Sequence, residues 1–406
     1  MKKTIKVASF FSGCGGLDLG LEGGFSVHKN SIKNREWVEK KDGNFVNLKK
    51  TGFETVFACD IKASAKATWE NYFNKKDVFL LESIVSLVKK AKSGQYKFPD
   101  VDLVTGGFPC QDFSVAGKRR GFDSKVSHQN IMDINLPTEE SRGMLYYWMR
   151  EAISVINPKF FIAENVKGLV SMQDAKEIIA NDFRNVNGGY LVIEPQVLHA
   201  GNYGVPQSRE RVFFIGIRKD LLNKEFENRI LSKVLDIYPK PTHNIESKDI
   251  STARDYLSDL IEPELSSDSS HQKYSKAKWY GRHCQGQTEI NIDGLAPTIR
   301  SEHHGNIEFR RLSKDNGGKI KNEHNLPQRR LSVRECARIQ TFPDDYQFIL
   351  PNVSASEAYK LVGNAVPPLL AYHIAQNLKS IIDQLENDVA LNNKKTSNEI
   401  KKINIG

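Results

Sequence analysis

Short apolar runs alternate with amphipathic stretches through the first half of the chain. IKVASFF (5–11) is a continuous apolar run and reads as a buried first strand, with a helix opening at Leu17–Leu21. ETVFACD (54–60), VDLVTGG (101–107) and KFFIAEN (159–165) predict three more strands. YLVIEPQVL (190–198) and RVFFIGI (211–217) predict two others. Between them, SAKATWENYF (64–73) reads as a helix. GMLYYWMREAISVI (143–156) is also helical, because Met144, Trp148, Met149, Ala152, Ile153 and Ile156 recur at that period. Such alternation implies an α/β fold with a doubly wound, mostly parallel sheet and right-handed crossovers. Ligands on these sheets bind at the carboxyl ends of the strands, and the unusual residues sit at those ends.

Three stretches break the pattern. Residues 24–52 are polar and charged where a short connection is expected, and read as a surface insertion. Residues 117–143 form a long aperiodic loop, a length usual for functional lids or disordered segments. From residue 219 the alternation is lost among prolines, serines, histidines and arginines. The expected division is a catalytic and ligand-binding domain over 1–218, a smaller domain over 219–350, C-terminal helices over 351–386 that return to the first domain, and a fraying tail over 387–406.

The 406 residues are 39% hydrophobic, enough for a sizeable core and too apolar for a disordered chain. No apolar run approaches the roughly 18 residues of a membrane span. The basic N-terminus followed by apolar residues mimics a signal peptide, but the run breaks at Ser12-Gly13, so the expected compartment is cytoplasmic. The five cysteines, Cys14, Cys59, Cys110, Cys284 and Cys336, are odd in number and widely spaced, which argues against a disulfide framework or structural zinc. Lys plus Arg outnumber Asp plus Glu by 58 to 49, a net charge of +9 that favours a polyanionic partner.

Five clusters carry candidate chemistry. Phe11-Ser12-Gly13-Cys14-Gly15-Gly16-Leu17 follows the first strand, and its glycines allow close backbone approach to a ligand. The dinucleotide pattern G-x-G-x-x-G fails, because its third glycine falls on Asp18. Asp60, ending the second strand, is placed to accept bonds from ribose hydroxyls; the alternative is a tight strand–helix turn with a capping acid. Cys110 follows Gly107-Phe108-Pro109 at the third strand's end and precedes the basic Lys118, Arg119 and Arg120. It is a nucleophile candidate, the alternative being a packed thiol. Glu164 ends a buried strand, either as a proton donor with a raised pKa or as a salt-bridged or capping acid. Arg209 and Arg211 alternate towards one face and suit carbonyl or phosphate oxygens, or else form an ion-pair ladder with Glu210. Ser332 and Glu335 form a capping box for a helix whose basic face can meet phosphates. Gly363-Asn364-Ala365-Val366-Pro367-Pro368 then opens the last helix.

Taken in order, FSGCGG, Asp60, GFPCQDFS, ENV, QSRER, RLSVRECARIQTFP and GNAVP resemble the DNA cytosine-5 methyltransferases, mostly bacterial modification enzymes of restriction systems. The resemblance covers residues 5–218 and 330–386, with 219–329 matching as a variable target-recognition region. It implies methyl transfer from S-adenosyl-L-methionine to carbon 5 of a cytosine flipped out of double-stranded DNA, through a covalent adduct. Cys110 matches the nucleophile, Glu164 the carboxyl group on ring N3 and the exocyclic amine, and Arg211 the ligand of O2, with Arg209 supporting the same pocket. Phe108 and Pro109 shape the wall. The cofactor pocket maps onto Phe11 through Leu17, Asp60, Ile61, Ser83, Ile84, Gly107, Pro109, Leu145, Asn364 and Ala365. The family's Asp-Ile pair for the adenine amino group is replaced by Leu81-Glu82-Ser83-Ile84, leaving Glu82 or Ser83 to serve. The loop 117–143 matches a lid over the flipped base, with Gln111, Ser114, Arg119 and Arg120 near DNA. Arg300, Arg310 and Arg311 are major-groove candidates.

The resemblance also implies a cognate restriction endonuclease that acts on the same site without a stable complex, and a monomer, since an asymmetric cleft holds one duplex without a dyad. An RNA-directed relative is the nearest competing reading; the long 219–329 region and the positive charge favour DNA. A nicotinamide oxidoreductase is disfavoured by the broken glycine pattern, and an inactive DNA-binding protein by the intact Cys110 and Glu164.

Overall fold

The computed structural model describes residues 4–109, 144–171, 175–276, 288–301, 308–320, 323 and 325–403, with side chains to 388. Strand β1 (Ile5–Phe10) leads through the glycine turn into α1 (Gly16–Glu22). Strands β2 (Ser26–His28), β3 (Val38–Asp42) and β4 (Phe45–Leu48) follow, then β5 (Phe53–Asp60), α2 (Ala63–Phe73), β6 (Phe79–Leu81) and α3 (Ile84–Lys92). Next come β7 (Leu103–Gly107), α4 (Leu145–Ile156), β8 (Phe160–Val166), α5 (Ala175–Arg184), β9 (Tyr190–Val192), β10 (Gln196–His199) and β11 (Glu210–Arg218).

These strands build one sheet in the order β10-β11-β8-β7-β1-β5-β6, with β9 also on β11. β8, β7, β1, β5 and β6 pair in parallel, and β11 runs antiparallel to β8, β9 and β10. The doubly wound, mostly parallel α/β reading therefore holds. The first six residues of β8 are buried, as expected where helices cover both faces of a parallel sheet. The predicted strand 190–198 is two strands, because the chain leaves the extended ladder around Pro195.

The stretch 24–52 is not a surface excursion. β2, β4 and β3 form an antiparallel sheet in that order, and Phe25, Val27, Val46 and Leu48 are buried in the main core. Trp37 meets the rings of Tyr372 and His373 edge-on, and Ser31 bonds Ser251 and Tyr256. The insertion thus joins the last helix to the region beyond 219.

That region contains α6 (Lys224–Leu231), α7 (Ala253–Leu257), α8 (Ser269–Gln272) and the β12 (Phe309–Arg311) and β13 (Arg329–Arg330) pair. The chain ends in α9 (Val333–Ile339), α10 (Ala355–Asn364) and α11 (Pro368–Ile403). The Ser332–Glu335 capping box is present, and Ser354–Glu357 forms another. The tail expected to fray from Asn387 instead continues α11 to Ile403. Among the described residues no helix is long and apolar enough to cross a membrane.

Candidate functional site

A cleft of about 540 Å³ opens at the carboxyl ends of β1, β5, β7 and β8. Its walls include Phe11, Ser12, Gly13, Cys14, Gly16, Leu17, Asp60, Ile61, Ser83, Ile84, Gly107, Pro109, Leu145, Asn364 and Ala365. Of the residues mapped to a cofactor, only Gly15 lies off this lining; its N–H closes the turn onto the Ser12 carbonyl at 2.8 Å. Phe11 holds φ at 53°, a conformation disfavoured for a side-chain-bearing residue and often found at functional sites.

The turn is braced from below. The Asp18 carboxylate accepts from the Ser9 hydroxyl at 2.5 Å and the Trp69 indole at 2.7 Å. Burial raises its pKa to about 6. The Asp60 carboxylate accepts from the amides of Gly13 (3.1 Å) and Lys62 (3.0 Å), joining the ends of β1 and β5. Its pKa is raised by burial, against the pull of Lys62 and these amides. Both residues left open for the adenine amino group border the cleft. Ser83 caps α3 by accepting from the Val85 amide at 3.2 Å, and Glu82 pairs with Lys90 at 2.5 Å.

Across the cleft, Glu164 is 7% exposed on β8. Arg211, on the neighbouring β11, places Nε 3.0 Å from Glu164 Oε1. Burial pushes the Glu164 carboxyl above its ordinary range, and the Arg211 and Arg209 cations oppose it. Gly107 makes room for this pair, since a Cβ there would lie 2.7 Å from Glu164 Oε2. Asn165 Nδ2 donates to the Phe108 carbonyl at 3.1 Å, fixing the chain as it runs through Pro109 towards residue 110. Sequence reasoning gave Asn165 no role, although it stands inside the ENV motif.

Cys110, Gln111, Ser114, Arg119, Arg120 and the loop 117–143 lie outside the described residues. Pro109, the last described residue before them, lines the cleft. Cys14, Cys59 and Cys336 are buried thiols whose pKa values burial pushes up.

Arg209 and Arg211 do not project together. β11 begins at Glu210, so strand alternation does not extend back to Arg209. Arg209 is 1% exposed and off the cleft lining, with its guanidinium on the carbonyls of Ile299, Gly363 and Ala365.

Arg310 and Arg311, the other two groove candidates, lie inside the protein. Both are buried: Arg310 bonds Glu323 at 2.6 Å, and Arg311 takes Glu262 in two bonds of 2.9 and 2.6 Å. Carboxylates inside the protein pair with both guanidiniums, although Nη1 of Arg310 has no hydrogen-bond partner among the described residues, so neither group is presented at the surface. The basic face of α9 is likewise internal, with Arg334 on Asp268 and Arg338 on Asp259 and Asp344. Arg300 is different, since it lines the cleft while pairing with Glu308 at 3.1 Å.

The strand-end cleft thus has a glycine turn, two acids bordering one wall, and the buried Glu164 with its Arg211 partner in the other. Residues 42–380 match the model for C-5 cytosine-specific DNA methylases. The chain belongs to that family. It is a DNA cytosine-5-methyltransferase. It is 32% identical to the Type II methyltransferase M.BsuRI of Bacillus subtilis over 99% of this chain and 85% of that protein. It is also 32% identical to M.MthTI of Methanothermobacter thermautotrophicus, over 95% and 100%. The crystal structure of the Schizosaccharomyces pombe Dnmt2 methyltransferase shares the fold, with a TM-score of 0.59, 18% identity and coverage of 94% of this chain and 99% of that one.

Proposed function

We propose that this methyltransferase uses S-adenosyl-L-methionine to methylate carbon 5 of a cytosine swung out of duplex DNA, through a covalent bond to Cys110. The Glu164–Arg211 pair in the wall of the glycine-lined cleft carries this reading. A cytosine inside a duplex cannot reach such a recessed pair, so the base must leave the stack.

The cleft suits the donor. Space is open beside Gly13, where a Cβ would touch nothing within 4 Å, and the Asp60 carboxylate borders the same wall. On this reading Asp60 accepts from the ribose hydroxyls, Glu82 or Ser83 meets the adenine amino group, and Leu145, Asn364 and Ala365 flank the nucleoside. S-adenosyl-L-methionine, when bound, supplies an electrophilic methyl group on sulfur. The protein's task is to make carbon 5 nucleophilic.

Cys110 adds to carbon 6 as a thiolate, and the new bond moves electron density to carbon 5. Charge would otherwise build at ring N3. Glu164, held protonated more readily by burial, donates a hydrogen to N3 as the thiolate adds. Arg211 donates to the cytosine O2 while keeping Glu164 oriented. As carbon 5 takes the methyl group, N3 returns its proton to Glu164; a base then takes the carbon-5 proton and the Cys110 sulfur departs with the electron pair of its bond to carbon 6. This restores the aromatic ring.

Residues 219–350 serve as the target-recognition region, with Arg300 at its junction with the cleft. The Type II relatives support a role in protecting DNA from a nuclease that cuts the same sequence. The protein acts as a monomer on one duplex. Labelled methyl transfer into unmethylated duplex DNA, followed by bisulfite sequencing, tests the reading. The expected result is label in DNA and protected cytosines at one sequence. Label in RNA alone, or in neither, would overturn it.

A further inference from the structure

Ile299 is held from both sides by the segment that leads into β11. Its amide donates to Gln207 Oε1 at 2.9 Å, and its carbonyl accepts from Arg209 Nη1 at 3.0 Å. The second guanidinium nitrogen of Arg209 reaches the carbonyls of Gly363 at 3.0 Å and Ala365 at 2.8 Å. Gln207 also donates to Gln340 Oε1 at 3.0 Å, and Gln340 donates onward to the Val362 carbonyl at 2.7 Å. Gly363 lies against the Arg300 backbone so closely that a Cβ would sit 2.4 Å from the Arg300 carbonyl oxygen. One buried knot therefore fixes two cleft-lining segments against each other: 298–301, which runs towards the recognition region, and 363–365, which flanks the nucleoside side.

We propose that Arg209 couples the two halves of the cleft, so that occupation of the nucleoside side and engagement of DNA strengthen each other. The inference rests on the assignment of those two halves above. Its physical basis is geometric. A planar guanidinium can hold three carbonyls in fixed relation, so a shift of 363–365 towards a bound nucleoside moves Ile299, and with it Thr298 and Arg300. A lysine keeps the positive charge near Glu164 but presents no planar fork. Arg209→Lys therefore separates the geometric role from the electrostatic one. By reciprocity, the factor by which DNA tightens nucleoside binding equals the factor by which nucleoside tightens DNA binding.

The test measures the affinity of S-adenosylhomocysteine for the full chain by calorimetry, with and without a duplex bearing the mapped methylation site. The wild type is expected to bind the nucleoside at least about 5-fold more tightly when DNA is present. Arg209→Lys is expected to keep the affinity measured without DNA while the ratio falls towards one. Gly363→Ala, which forces the Arg300 backbone away from a segment that Arg209 holds while leaving the guanidinium itself in place, should lower the ratio too. It supplies the readout if the lysine variant fails to fold. A ratio unchanged in the variants, or absent in the wild type, overturns the inference. If the wild type transfers no labelled methyl to DNA, the functional reading itself has failed; if transfer is normal and only the ratio is unaltered, the coupling role alone has failed.

Discussion

Arg211 Nε stands 3.0 Å from Glu164 Oε1, across the antiparallel register of β11 and β8 in which Arg211 faces Val166 and Phe213 faces Glu164. Glu164 is buried and Arg211 partly so, and the Arg211 cation, with Arg209 behind it, opposes the effect of burial on the carboxyl group. Glu164→Gln keeps the shape and one hydrogen-bond acceptor but loses the proton that the carboxyl group donates. We expect kcat for labelled methyl transfer to fall by about 10² to 10⁴, with S-adenosylhomocysteine binding unchanged. A kcat within tenfold of wild type contradicts the role given to this carboxyl group.

Gly107 is the position that leaves room for that carboxylate. Gly107→Ala would place a methyl group 2.7 Å from Glu164 Oε2, against a side chain already tied to Arg211. The carboxylate must shift, and misplacement on the scale of 1 Å costs about 10²-fold in rate. Steady-state kinetics should show the loss in kcat, with the chain still folded by circular dichroism.

Arg311 divides a DNA-contact role from a structural one. Arg311→Ala takes one of two cations from each of Glu262 and Glu323, which keep Arg329 and Arg310, so the loss should be at or below the about 3–5 kcal/mol of a fully broken buried pair. Urea unfolding should report that loss, while bisulfite mapping of the residual activity returns the same methylated sequence. A stable variant with altered sequence choice contradicts the internal pairing.

Asp18 predicts a pH dependence. Its folded pKa is raised by burial to about 6 from an ordinary value of 3.8. The folded state therefore holds this proton more tightly than the unfolded chain. The resulting stabilisation is complete below about pH 4 and is lost as pH rises through about 6, an amount on the order of 3 kcal/mol. Asp18→Asn removes that titration. Relative to wild type, the variant should be least stable near pH 4 and recover by pH 7.5, measured as urea midpoints at each pH. A wild-type-to-variant difference that is flat with pH contradicts the buried, raised carboxyl group.

The central sheet was legible because parallel strands buried on both faces appear as continuous apolar runs, as 5–11, 54–60, 101–107 and 159–165 do. The strand-end positions of Asp60 and Glu164 followed from the same runs, and both border the cleft. Arg310 and Arg311 were misread because the carboxylates that bury them come from Glu262, Glu323 and Glu335, brought together only by the fold. Arg209 was misread because strand alternation was extended one residue beyond the start of β11. The insertion's core residues, Phe25, Val27, Val46 and Leu48, are sparse among charges, and their burial depends on partners such as Tyr372, more than 300 residues away.

Covalent trapping tests the central claim most directly. Fluorine at carbon 5 blocks the proton loss that releases the sulfur, so a duplex carrying 5-fluorocytosine at the methylated position should hold the enzyme in a denaturant-resistant adduct when S-adenosyl-L-methionine is present. The expected result is one adduct per duplex for the wild type, with peptide mapping placing the bond at Cys110, and none for Cys110→Ser. Normal methylation by Cys110→Ser, or an adduct mapped to another residue, would contradict the account.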